Sequence, residues 1–190
     1  MAPDEDAITR RLAAQLPPQI AALPRDRRGY PITFVTAIGD DGVPDFSDLD
    51  GSRRAKAIID QLCGICRRPL HLVRAVIGGP QVVESRLTVD PPMCVECAVF
   101  AATHPVAGCP FLLSPNARYR KTSAAEPTSP LIAEERASTF FLARTFAHEP
   151  VRVLRLSDGS EELMALCARW TSLERISGGE LIDARHLISR

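Results

Sequence analysis

The sequence predicts an α+β fold, on three observations. Short β-branched runs closed by Gly and Pro alternate with stretches of helical spacing. Two Cys-x-x-Cys pairs, "CGIC" at 63–66 and "CVEC" at 94–97, bracket the middle of the chain. A Ser-, Pro- and Ala-rich stretch over 114–130 separates that middle from a β-rich C-terminal region. The expected organisation is an N-terminal helix or extended arm over 1–30, a cysteine-bearing α+β domain over 31–113, a linker or mobile loop over 114–130, and a β-rich region over 131–190 ending in a helix.

In chain order, Ile8, Leu12 and Leu16 repeat at i, i+4, i+8 and predict a helix over 4–16, stopped by Pro17-Pro18. Ile32 to Ile38 is β-rich and closed by the turn residues Gly39 to Gly42, which predicts a strand. The acidic run "DDGVPDFSDLD" lacks the spacing and terminal Glu of an EF-hand and reads as a solvated turn leading to a helix cap. Asp50 or Ser52 is that cap, and Ala55, Ile58, Ile59 and Leu62 form the apolar stripe of a helix that delivers the chain to Cys63.

The stretch "LHLVRAVIGGPQVVESRLTV" predicts a β-hairpin about Gly78-Gly79-Pro80, its second run alternating Val83, Ser85, Leu87, Val89 against Val82, Glu84, Arg86, Thr88. In "DPPMCVECAVFAATHP", Asp90 is a good N-cap and Pro91 suits the first helical position, so a helix is expected up to Pro105. "STFFLARTFAHEPVRVLRL" predicts two strands about His148-Glu149-Pro150. Leu163, Leu166, Trp170, Leu173 and Ile176 recur at nearly helical spacing, and "ELIDARHLIS" predicts a terminal helix.

The cysteines carry the chemistry. Thiolates three residues apart can reach one ion, because the turn between them folds back while its amides stabilise the sulfur charge. Knuckle, hairpin and a helix carrying the second pair in its first turns, with 27 residues between Cys66 and Cys94, is the order of a treble-clef zinc finger. The expected ligands are therefore Cys63, Cys66, Cys94 and Cys97, holding a structural Zn2+. Unliganded thiols, an iron–sulfur cluster and a redox disulfide are the competing readings. Cys109 reads better as a buried thiol than as a fifth sulfur, and Cys167 as core. His71 and His104 lie close in sequence but are not needed, since four sulfurs saturate the metal. Arg67 and Arg68 read either as counter-charges to the centre or as solvated surface.

Catalytic patterns fail on residue grounds. A deaminase zinc site needs His-x-Glu before Pro-Cys-x-x-Cys, and here Met93 precedes Cys94. Arg67 and Ala98 follow the two pairs where c-type haem attachment requires His. No phosphate-cradling Gly loop or Ser/His/Asp signature stands out.

The runs "PRDRRGYPITFV", "DGVPDF", "LCGICRRPL", "GGP" and "DPPMCVECA" through "CPFL" resemble a family of uncharacterised proteins from actinobacteria and their phages, with a treble-clef-like zinc finger. The resemblance covers residues 24–113, with weaker similarity in "TSLERISGGELIDARHL". It implies a Cys-rich domain with no established activity, a ligand role at Cys94, where many members carry His, and a place for Cys109 in the pattern. It also implies strands rather than helix over 162–176.

Composition bounds the rest. At 45% hydrophobic and 24% charged, the 190-residue chain is ordinary for a folded protein. Acidic and basic residues balance at 23 each, so any attraction to nucleic acid is local, with Arg53, Arg54, Arg67 and Arg68 as the candidate patch. The acidic start, the absence of an apolar run of about 18 residues and the cysteine usage predict a cytoplasmic protein without a membrane partner. The leading expectation is a zinc-stabilised, non-catalytic binding or accessory protein, with a protein or nucleic acid partner open. A nucleic-acid-binding regulator and a thiol redox switch or enzyme are the alternatives.

Overall fold

A computed structural model describes residues 16–103, 137–154 and 159–188. The helix expected over 4–16, the linker over 114–130, His104 and Cys109 lie outside them, apart from Leu16. The described chain mixes helices and sheets, as an α+β fold requires.

Short helix α1 (Pro18–Ala21) begins behind Pro17 and drives Ile20 into the core. The strand expected over 32–38 is confined to β1 (Thr36–Ile38), because Phe34 and Val35 donate their amides to the knuckle carbonyls of Ile65 (2.8 Å) and Gly64 (3.3 Å) instead. β1 pairs with β2 (Pro44–Leu49). Part of the acidic run is thus strand, and Asp41 binds the Val43 amide in the turn at 3.0 Å. Asp50 is the N-cap of α2 (Gly51–Ile59), its carboxylate accepting from the Arg53 amide at 2.8 Å.

The hairpin expected about Gly78-Gly79-Pro80 does not form. Strand β3 (Arg74–Gly78) is followed by helix α3 (Pro80–Ser85), with Pro80 in the first turn, where its missing N–H costs nothing. Gly78 permits the reversal: a β-carbon there would stand 2.6 Å from that of Val82. Arg86, at φ 62°, ends the helix, and β4 (Leu87–Thr88) pairs with a distant strand rather than with β3. The alternation of 82–89 is therefore a false strand signal, since Val82 and Val83 both pack inward from one helical turn.

The helix expected from an Asp90 cap starts later. Pro91 and Pro92 stay extended, and α4 (Val95–Thr103) begins after Cys94, whose carbonyl accepts from the Ala98 amide at 3.0 Å. A Pro disfavours the helical region for the residue before it, and two in succession push the helix start downstream.

The remaining strands are β5 (Phe140–Thr145), β6 (Glu149–Leu154), β7 (Glu161–Leu166), β8 (Ser172–Ser177) and β9 (Glu180–Asp183). The helical spacing over 163–176 is thus overridden by sheet pairing, as the resemblance implied. The terminal helix is also corrected: "ELID" is strand, and only a 3-10 turn, Arg185–Leu187, follows. Two larger sheets result, ordered β3-β5-β8-β9 and β4-β7-β6, all antiparallel. Because β3 pairs with β5 and β4 with β7, both sheets join chain segments from either side of the 114–130 stretch.

The four-stranded sheet is apolar on both faces. Ala75, Ile77, Leu142 and Ile176 lie in one cluster with α4, Ile20 and the paired cysteines; Val76, Phe141, Ala143 and Leu173 lie in another with Cys167, Trp170 and Ala184. This is the two-residue alternation of strands buried on both sides.

Candidate metal centre

The first cysteine loop is a narrow reversal. Leu62 and Pro69 form an antiparallel bridge at its base, the Cys63 amide donates to Arg68 O at 2.8 Å, and the Arg67 amide donates to Cys63 O at 2.9 Å. Arg67 takes the left-handed conformation, φ 63°, that closes the turn. Gly64 faces the Pro91 ring; a β-carbon there would sit 3.2 Å from Pro91 Cβ, so a small residue lets the two loops meet.

The second pair is positioned by Pro91 to Met93, an extended segment bonded on both sides. The Gly64 amide donates to Pro92 O at 3.1 Å, while Ala75 and Met93 exchange both backbone hydrogen bonds at 2.9 and 2.8 Å. Cys94 then occupies the cap of α4 and Cys97 its first turn, where exposed amides and the helix dipole favour anionic sulfur.

All four Sγ atoms of Cys63, Cys66, Cys94 and Cys97 lie within 4.8 Å of one another, with Cys66 and Cys94 3.8 Å apart. Metal–sulfur bonds of about 2.3 Å in a tetrahedron place sulfurs about 3.8 Å apart, so the four thiols can hold one ion. They are free of disulfides. Cys63 and Cys97 are fully buried, Cys94 nearly so, and Cys66 is partly exposed. The Cys63 sulfur accepts from the amides of Cys66 (3.5 Å) and Cys94 (3.3 Å).

Four thiols this close cannot all ionise without a cation. At Cys63 a raising contact with Cys66 is outweighed by lowering ones with Cys94 and Cys97, and at Cys66 contacts with Cys63, Cys94 and Cys97 all lower, so both thiols sit below the ordinary thiol range. The same crowding, from Cys63 and Cys66 first and then burial, pushes Cys94 and Cys97 above it. A divalent ion removes the conflict by neutralising the sulfurs together.

The other sequence candidates scatter. The ring of His71 is exposed, and Cys167 is a buried core thiol whose pKa burial pushes up to about 12. Arg67 lays its guanidinium over the Phe34 ring at 5.2 Å, and Arg68 is exposed. Arg54 is directed inward to Glu162 of β7 and to the carbonyls of Leu163 (3.1 Å) and Val89 (3.4 Å), while Arg53 returns to Asp50. The four arginines thus do not form one free basic patch.

Sequence reasoning missed Arg74 and His148, both buried and 3.0 Å apart. A charged residue at the head of the apolar run "RAVIG" was the available signal, because arginine enters a core only with partners. Among the described residues, no helix is long and apolar enough to cross a membrane. No family model, curated protein or solved structure matches the chain.

Proposed function

We propose that this protein is a zinc-stabilised, non-catalytic binding or accessory protein, its Zn2+ held by Cys63, Cys66, Cys94 and Cys97. The observation that carries the reading is the four-sulfur cluster, whose members converge from a loop and a helix start 27 residues apart. A tetrahedral all-sulfur donor set suits zinc or iron–sulfur chemistry and disfavours hard cations. Four protein ligands leave no open position for substrate or water, so the role that fits is structural. Its binding free energy then becomes folding free energy, on the order of 10 kcal/mol.

What the residues do is reinforce a joint between three segments that backbone hydrogen bonds already bring together. The centre ties the knuckle to the start of α4, and through Pro92 and Met93 to the edge of β3. Metal analysis of protein purified without added metal tests the reading: one zinc per chain is expected, falling in Cys94→Ser. Iron with visible absorbance, or no metal, would overturn it.

A further inference from the structure

Arg74, 5% exposed, spans the base of the first cysteine loop. Its Nη1 donates to Gln61 Oε1 at 2.9 Å, on the turn entering the loop, and its Nη2 donates to His71 O at 3.1 Å, on the segment leaving it. Gln61, two residues before Cys63, is held at φ 54° and binds the Leu70 amide through its own carbonyl at 2.8 Å. One guanidinium therefore fixes both legs of the loop that presents Cys63 and Cys66.

His148, 2% exposed, braces that guanidinium from the far side. Its Nε2 lies 3.0 Å from the carbonyl of Ile58 in α2, and its Nδ1 lies 3.0 Å from Arg74 Nη1. A carbonyl only accepts and a guanidinium only donates, so the ring must be neutral, with Nε2–H donating and Nδ1 accepting. A proton on Nδ1 would set donor against donor and a second positive charge beside a buried first.

Among the described residues, no carboxylate compensates that charge. On α2, Lys56 and Asp60 pair with each other at the surface at 2.5 Å, and Arg54 is committed to Glu162 of β7. Glu149 at the start of β6 is exposed, the His71 ring is exposed, and Cys167 after β7 is a neutral buried thiol. Arg74 Nε has no hydrogen-bond partner, and among the described residues no carboxylate pairs with this guanidinium.

We propose that Arg74 and His148 form a proton-sensitive clamp at the base of the first cysteine loop, so that protonating His148 loosens the grip on the metal. The metal part rests on the zinc reading above; the clamp itself rests on the four contacts. Burial, with Arg74 alongside, holds the ring's pKa below its ordinary value. The loosened state takes up the proton first as pH falls. The clamp's contribution is full above about pH 6.5 and is lost as pH falls through that value towards the lowered one of the folded ring.

The test is zinc release from the full-length, zinc-loaded protein to a chromogenic chelator at about pH 7.5 and about pH 5.5, comparing wild type, His148→Gln and the exposed-site control His186→Gln. Thiolate protonation accelerates release in all three. Wild type and His186→Gln should show a further acceleration, up to about tenfold at pH 5.5, that His148→Gln lacks. An identical acid response in wild type and His148→Gln overturns the clamp. If His148→Gln does not fold, imidazole NMR of the wild type decides: the Nε2–H tautomer and titration together with the acid step in release are expected, and a ring that titrates with no change in release refutes the proposal. Should the chain carry no metal, the zinc reading alone fails, and the same comparison by thermal unfolding decides the clamp.

Discussion

On one face of the four-stranded sheet, Ala75, Ile77, Leu142 and Ile176 meet α4 and the cysteine cluster; on the other, Val76, Phe141, Ala143 and Leu173 meet Trp170, Ala184 and the inward side of α3. The first face is built with small and polarisable groups: Ala98, Ala101 and Ala102 bring α4 close, and Cys63, Cys94 and Cys97 fill the space beyond. The second is an ordinary apolar core, locked where the Trp170 indole N–H donates to Val83 O at 2.9 Å. On the zinc reading the first face depends on the ion that joins its thiols, whereas aromatic and aliphatic burial stabilises by itself at about 25 cal/mol per Å2. The two faces share strands but differ in what they depend on.

The largest expected effect breaks the first face. Removing the metal with a strong chelator, or substituting Cys97→Ser, should cost on the order of 10 kcal/mol at the centre, which is comparable to the whole stability of a typical domain. Because β3, β5 and β8 serve both faces, the fluorescence of Trp170, the sole tryptophan, should change together with metal loss. A tryptophan signal that survives complete chelation would mean the second face folds independently.

Next in size is an equal cut on each side. Leu142→Ala and Leu173→Ala, both fully buried, should each cost about 2–5 kcal/mol in chemical denaturation. They should differ in metal retention: Leu142→Ala speeds zinc release, and Leu173→Ala leaves it near wild type until the protein unfolds. Equal release from both would show that the sheet transmits either cavity to the centre.

The smallest effect lies on the path into the cysteine loop. Asp50→Ala removes the α2 cap and should lower stability by about 1 kcal/mol, with one metal per chain retained. A loss of metal in this variant would show that α2, and not the sulfur cluster, sets the geometry of the knuckle.

The candidate site was largely legible from the chain, and the elements around it were less so. Two Cys-x-x-Cys pairs mark out the four thiols that the fold brings within 4.8 Å of one another, because each pair is a local reversal or helix start that presents both sulfurs to one side. The α2 cap was legible to within two candidates, Asp50 or Ser52, because capping is settled within a few residues, and the structure selects Asp50. The segment 80–89 misled, since alternating valines on either side of a Gly-Gly-Pro suit a hairpin until β5 takes the place of the second strand beside β3. The spacing of Leu163, Leu166, Trp170, Leu173 and Ile176 misled in the other direction. Leu163 and Leu166 belong to β7 and Leu173 and Ile176 to β8, in two different sheets, and their period is a coincidence of two strands read as one helix.

The sequence by itself singled out Cys63, Cys66, Cys94 and Cys97 as the four thiols that cluster, narrowed the α2 cap to Asp50 or Ser52 and set the mixed fold class, because each depends on residue chemistry or on neighbours a few positions away. Tertiary structure alone decided that β3 lies beside β5, that Arg54 turns inward to Glu162, and that His148 closes on Arg74 across 74 positions. The reason is physical: hydrogen-bonding edges and buried charges take whichever partner the chain can bring at lowest cost, and no local pattern names that partner in advance.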